Sequence, residues 1–161
     1  MILVFQGYEL ATGVAPAGDD AKRKLQTTTP EERTSVSEAD EESVLIFMTS
    51  GPQTPQRCAT PFYMATMAAV MDAEVDLVLQ IDGVLLVKKG VAEGMMAKEG
   101  GKPIIDFIRE ATEAGVRIHV CSAALGLHDM TVDDLIEECH GVVGAAFMVE
   151  RGMEAAMVLN Y

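Results

Sequence analysis

What the chain lacks narrows it first. It has no Trp and only three Tyr and five Phe, so its core must be built from aliphatic side chains and from its 11 Met. Basic residues are scarce: 12 Lys and Arg stand against 25 Asp and Glu, a net charge of −13. A surface of that sign repels phosphate backbones and anionic lipids, which argues against nucleic-acid and membrane-surface binding. Cysteine is limited to Cys58, Cys121 and Cys139, with no CxxC pair. That pattern offers no zinc ribbon, thioredoxin-type motif or disulfide framework, and it points to a reducing compartment, the cytoplasm. No apolar run is long enough to span a bilayer. The apolar start Met1-Ile2-Leu3-Val4-Phe5 is too short for a signal peptide and lacks its basic flank.

Phosphate-binding glycine patterns are missing too. The Gly51-Pro52 turn resembles a phosphate-binding βα turn only loosely, without the spacing of a P-loop or a dinucleotide fingerprint. No Ser-His-Asp order or metal-ligand spacing stands out.

The 161 residues fit one domain able to bury its own core. Residues 1–42 differ in composition: from Ala11 onward Gly, Thr, Ser, Pro and Glu dominate, with few large apolar side chains to offset ordering entropy. They are expected to form an acidic, largely flexible leader. Residues 2–8 are the exception, apolar enough to add an edge strand or to dock on a neighbouring subunit.

The globular part, 43–161, alternates strand and helix signals. Residues 44–48 are a continuous apolar run, the mark of a strand buried on both faces. A helix follows to about Asp72, with Pro61 in its first turn and Met64, Met67 and Met71 at helical spacing, most simply as core. Residues 75–80 read as a second strand, and 84–87 as a short apolar segment. Met95 and Met96 sit in a Gly-rich loop where they could face a partner. Pro103 opens a helix whose inner face is Ile104, Ile105, Ile108 and Ala111, and Gly115 stops it. Then Val116, Ile118 and Val120 alternate with Arg117 and His119 in a strand that ends at Cys121. Thr131 is a suitable N-cap for a helix over 132–139, followed by a last strand at 142–146 and a last helix at 147–159. Such βαβ alternation predicts a mainly parallel sheet with helices on both faces.

Cys121 stands where strand passes into helix, at the carboxyl edge of the sheet, where open α/β folds place their ligands. Free N–H groups at the start of the following helix favour thiolate there. The plain alternative is a small buried hydrophobe. Cys58 lies in the loop after the first strand beside Arg57 and is a candidate second thiol. Cys139, with Glu137 and Glu138 beside it, reads as structural. Among the histidines, His119 reads as packed in its strand, His128 as able to approach the Cys121 thiol or simply to end a helix in solvent, and His140 as a helix-end partner. Asp133-Asp134 and Glu137-Glu138 read as a solvated face.

The runs IHVCSAALGLHDM and DDLIEE, with PFYMATMAAVMDAEVDLVLQIDGVLLVKKG before them, resemble the DsrE/DsrF-like family, which includes TusD- and YchN-type sulfur-relay proteins. The resemblance runs from about Val44 to the C-terminus. It implies a flavodoxin-like three-layer α/β sandwich in which Cys121 closes an interior strand and carries sulfur as a persulfide. It further implies sulfurtransferase-type relay between thiol proteins, such as TusA-like carriers, in a closed trimer or hexamer, a relay that one cysteine can carry without a metal or organic cofactor. The reading kept beside it is a non-catalytic oligomeric α/β module that binds a partner or small ligand.

Overall fold

The computed structural model describes residues 42–161. The leader expected at 1–42, and the edge strand considered at 2–8, therefore lie outside the described residues, apart from Glu42. Five strands, β1 (Ser43–Met48), β2 (Glu74–Leu79), β3 (Arg117–Cys121), β4 (Gly141–Val143) and β5 (Met157–Asn160), form one sheet in the order β4-β3-β2-β1-β5. Every neighbouring pair is parallel.

The topology follows from the handedness of crossovers. From β1 to β4 the chain steps one strand at a time in one direction, so right-handed connections put helices α1 (Thr60–Val70) and α2 (Ile104–Glu113) on the same face. The short helix α3 (Ser122–Leu127) follows β3 directly. The last step runs back across the whole sheet to the far side of β1, which puts α4 (Ala145–Glu154) on the opposite face. The result is a three-layer, flavodoxin-like α/β sandwich.

The two faces differ in kind. Val44, Ile46, Met48, Val75, Leu77, Leu79, Ile118 and Val120 alternate onto the α1–α2 face and join the main core there. The predicted inner face of α2, Ile104, Ile105, Ile108 and Ala111, is buried against it, and Gly115 ends that helix with φ +95°. Under α4 the sheet presents Glu74, Asp76, Arg117 and His119 beside the buried Leu45 and Val78. No residue of α4 is itself buried. Polar contacts and packing both hold α4: Arg151 bonds Asp76 and Glu74, Gln80 donates to the Met148 sulfur, the Phe147 ring packs 4.8 Å from that of His119, and Gly152 lies over Leu45.

Four expectations are corrected. The helix expected over 132–139 is a single 3-10 turn, Val132–Asp134, closed by a Thr131–Asp134 capping box. Past it the backbone is committed to distant partners, with Leu135 bridging Lys88 and the Ile136 N–H donating to Val87, so no i−4 ladder can form. The last helix stops at Glu154, and residues expected to continue it form β5 along β1. Met64, Met67 and Met71 are exposed rather than core. Conversely Val84, Leu86 and Val87 are fully buried, in a 3-10 segment, Ile81–Val87.

Candidate functional site

Cys121 is the last residue of β3, paired with Val143 of β4, and directly precedes α3. Its surroundings are set by the turn after β2. A cavity of about 370 Å³ opens beside it, lined by Gln80, Ile81, Ala123, Ala124 and Leu127. None of these side chains is charged. Cys121 is buried, with 9% of the residue exposed, and it is the one cysteine that lines this opening. Support from α3 is limited, because the helix has only six residues and its end charges are correspondingly weak.

Close backbone packing fixes the cavity rim. A Cβ on Gly51 would stand 2.3 Å from the Asp82 carbonyl oxygen, and one on Gly83 would stand 2.5 Å from that of Met48. Only glycine lets the turns after β1 and β2 lie this close. Between them Ile81 is held at φ +49°, a left-handed conformation costly for a β-branched side chain. His128, at the far end of α3, donates from Nε2 to the Ile81 carbonyl at 3.1 Å and lies 3.3 Å from the Asp82 carboxylate. It thus ties the Ile81–Asp82 turn to the end of α3.

Cys58 is in a different setting. It has no exposed surface, and its Sγ donates to the Gly51 and Thr54 carbonyls at 3.3 and 3.4 Å. Burial pushes this thiol up to about 11, so neighbouring Arg57 does not make it a thiolate. Cys139 is pushed up to about 12 by burial and by Glu138. It lies with Arg117, Glu137, Glu138 and His140 along an open groove of about 610 Å³ between the end of α2 and the start of β4. A third opening, about 280 Å³, lies between the ends of β1 and β5, with Ser50, Gln56, Arg57, Thr60 and Tyr161 around it. That is where the strand order reverses, the usual ligand crevice of open parallel sheets. Among the described residues no three His, Cys, Asp or Glu side chains gather as a metal would require.

Sequence reasoning missed the polar cluster on the same sheet face as Cys121. Asp76, 1% exposed, accepts from Arg117 Nε and Nη2 at 2.8 Å, from Arg151 Nε at 2.8 Å and from His119 Nε2 at 2.7 Å. Burial alone would raise its pKa, but hydrogen bonds from His119, Arg117 and Arg151 prevail and hold it well below the usual carboxylate range. Glu74 takes the outer nitrogens of both arginines, which lower its pKa as well. His119 is packed, as expected, at 5% exposure, yet its Nδ1 finds no partner among the described residues. The signal was there to be read: acidic residues inside EVDLVL and a base inside RIHVC cannot enter an interior sheet unless they meet.

The DsrE/DsrF-like family model matches residues 42–150. The chain belongs to the DsrE/DsrF-like family. Two solved structures share the fold. The ychN protein from E. coli superimposes with a TM-score of 0.63 at 15% identity, covering 76% of this chain and 100% of its own. MTH1491 from Methanobacterium thermoautotrophicum, a protein of unknown function, gives 0.54 at 22% identity, covering 74% and 99%. Among curated protein sequences none matches. In this DsrE-like chain the cavity-lining cysteine ends the strand next to the sheet's central one, flanked by β2 and β4.

Proposed function

We propose that the protein is a persulfide carrier that relays sulfane sulfur between thiol proteins through Cys121, in the reducing cytoplasm. The observation that carries this reading is the position of Cys121 at the carboxyl edge of the sheet, facing an uncharged cavity, while Cys58 has no exposed surface and Cys139 lines a separate groove beside Glu137 and Glu138. In loading, the Cys121 sulfur attacks the outer sulfur of a donor persulfide, R–S–SH. The S–S bond breaks, R–SH leaves, and Cys121–S–SH remains. Unloading is the same exchange with an acceptor thiol. No sulfur leaves the thiol–persulfide pool, so one cysteine serves both steps and no external oxidant or reductant enters. A protein thiol, such as that of a TusA-like carrier, suits the cavity as donor or acceptor. A closed homo-oligomer, a trimer before a hexamer, completes the reading. Cys58 fits a structural role better than that of a second relay thiol.

Incubation with polysulfide followed by intact-mass measurement tests the carrier. Mass should rise in sulfur units and the gain should vanish in Cys121→Ser; gain that survives this change overturns the assignment.

A second reading has its own observation. The opening at the strand-order reversal, with Arg57, Gln56 and Thr60 around it, favours a module that binds a small ligand and transfers nothing. Absence of any sulfur gain would favour it.

A further inference from the structure

The three openings differ in charge, and the difference limits what each can take. The groove at Cys139 has Arg117, Glu137, Glu138 and His140 along it, and the opening at the strand-order reversal has Arg57. Around Cys121 stand only Gln80, Ile81, Ala123, Ala124 and Leu127. At about 370 Å³ this space falls within the roughly 300–1,000 Å³ of small-ligand pockets, far more than a sulfur atom fills. There is room for the group that carries the sulfur as well. The walls say what that group is. Gln80 is the one lining side chain able to hydrogen-bond, and its amide already donates to the Met148 sulfur at 2.7 Å. No Lys or Arg lines the space. Asp82, next to Ile81 in the chain, is acidic and lies 3.3 Å from His128. A charged group brought into this space loses its water and meets no ion of opposite sign in the walls.

An apolar group, in contrast, finds surface to cover. Ile81 and Leu127 are 51% and 63% exposed, large apolar side chains left open beside the nucleophile. Ile81 also stands at φ +49°, where glycine or asparagine fits more readily, so neither its backbone nor its burial calls for an isoleucine. We propose that Ile81 and Leu127 form an apolar lip that selects the partner: a thiol protein whose exchanging cysteine is flanked by uncharged, apolar residues. This rests on the carrier reading and names the partner's chemistry. A flanking side chain covers Ile81 and Leu127 while the partner's sulfur reaches Cys121. The bonds made and broken are those of the persulfide exchange given above, and the lip adds none.

The test uses capped tripeptides, Leu-Cys-Leu, Asp-Cys-Asp and Lys-Cys-Lys, each with its cysteine activated as a thiopyridyl disulfide. The Cys121 sulfur attacks the peptide sulfur, pyridine-2-thione leaves, and a mixed disulfide remains, located by peptide mass. Rates on the full chain are divided by those with N-acetylcysteine amide, at high salt so that the pull of the acidic surface is screened. The Leu peptide should react about tenfold faster than either charged one. Ile81→Asn, which suits the left-handed backbone, and Leu127→Gln should each narrow that gap by slowing the Leu peptide most. Equal rates for the three peptides, or no reaction with any, overturn the proposal. So does a faster Lys peptide, which would mean that charge selects the partner, and so does a gap that survives both substitutions. If neither variant folds, the wild-type rates alone decide. The peptides carry no sulfane sulfur, so a failure here is distinct from a failure to load sulfur.

Discussion

Asp76 and His119, on adjacent strands, meet at 2.7 Å beneath a helix that buries none of its own side chains. The same carboxylate binds Arg117 and Arg151, so one buried charge joins β2, β3 and α4. Its depressed pKa is therefore a statement about stability. A group whose folded pKa lies below its unfolded value, about 3.9, stabilises the protein above that pH and loses this contribution as pH falls toward the folded value. Unfolding free energy from urea titration should therefore decline below about pH 5 and keep declining to the lowest pH at which the protein folds. Asp76→Asn should flatten that slope. It should also cost about 3 kcal/mol at pH 7, because two arginines lose their shared partner. An unchanged acid slope in the variant would show that other carboxylates carry it.

The cavity rim gives a second expectation. Alanine at Gly83 drives a Cβ to 2.5 Å from the Met48 carbonyl oxygen, and neither can rotate away, since the Cβ is fixed by its own backbone and the oxygen is part of the backbone. Gly83→Ala should cost about 1–3 kcal/mol by denaturant unfolding. It should also alter the alkylation rate of Cys121 under native conditions, since the turn it displaces shapes the wall. Gly94→Ala, where nothing lies within 4 Å, is the control.

The thiols should separate kinetically. With Cys58 raised to about 11, only about one thiol in a thousand is ionised at pH 8, and it has no exposed surface. Native-state labelling at pH 8 should mark Cys121 and spare Cys58 until denaturant is added. Equal labelling of the two would mean that the loop carrying Cys58 opens readily.

Much of this was legible in the sequence. The Cys121 strand, α2 with its four inner residues and the run of β1 all carry strong periodicity, and each lies where the pattern put it. β5 was missed although β1 implied it: a strand apolar along its whole length is interior, and an interior strand needs a partner on both edges. Met157, Val158 and Leu159 supply that partner, but their spacing also fits a helix over so short a run. The 132–139 helix failed for the opposite reason. Its cap was correctly placed, yet Leu135 and Ile136 were claimed by Lys88 and Val87 across the fold, a competition no local signal reports. At the site, the thiol could be placed from strand logic. The contact between His119 and Asp76 could not, because the two lie 43 residues apart in the chain.

Self-association remains as an expectation. The apolar 84–87 segment is mostly core, whereas Met153 and Met157 near the C-terminus are exposed. Two apolar patches stand out. One is the outer stripe of α1, with Tyr63, Met64, Met67, Val70 and Met71; the other is on α4 and β5, with Val149, Met153 at 83% exposure, Met157 and Val158. They lie on opposite faces of the sheet. The α1 helix has no charged residue at all, which matters in a chain of net charge −13 whose copies repel elsewhere, whereas Glu150 and Glu154 flank the α4 patch. Two different patches facing away from each other suit a head-to-tail contact, and a head-to-tail contact that closes makes a ring. Light scattering at micromolar concentration should give a multiple of 17.3 kDa, a trimer before a hexamer. Met67→Glu and Met153→Glu should each lower that mass, one from either side of the same contact. If only one of them does, the ring is not built by joining these two patches, and a monomer that persists at high concentration would remove self-association altogether.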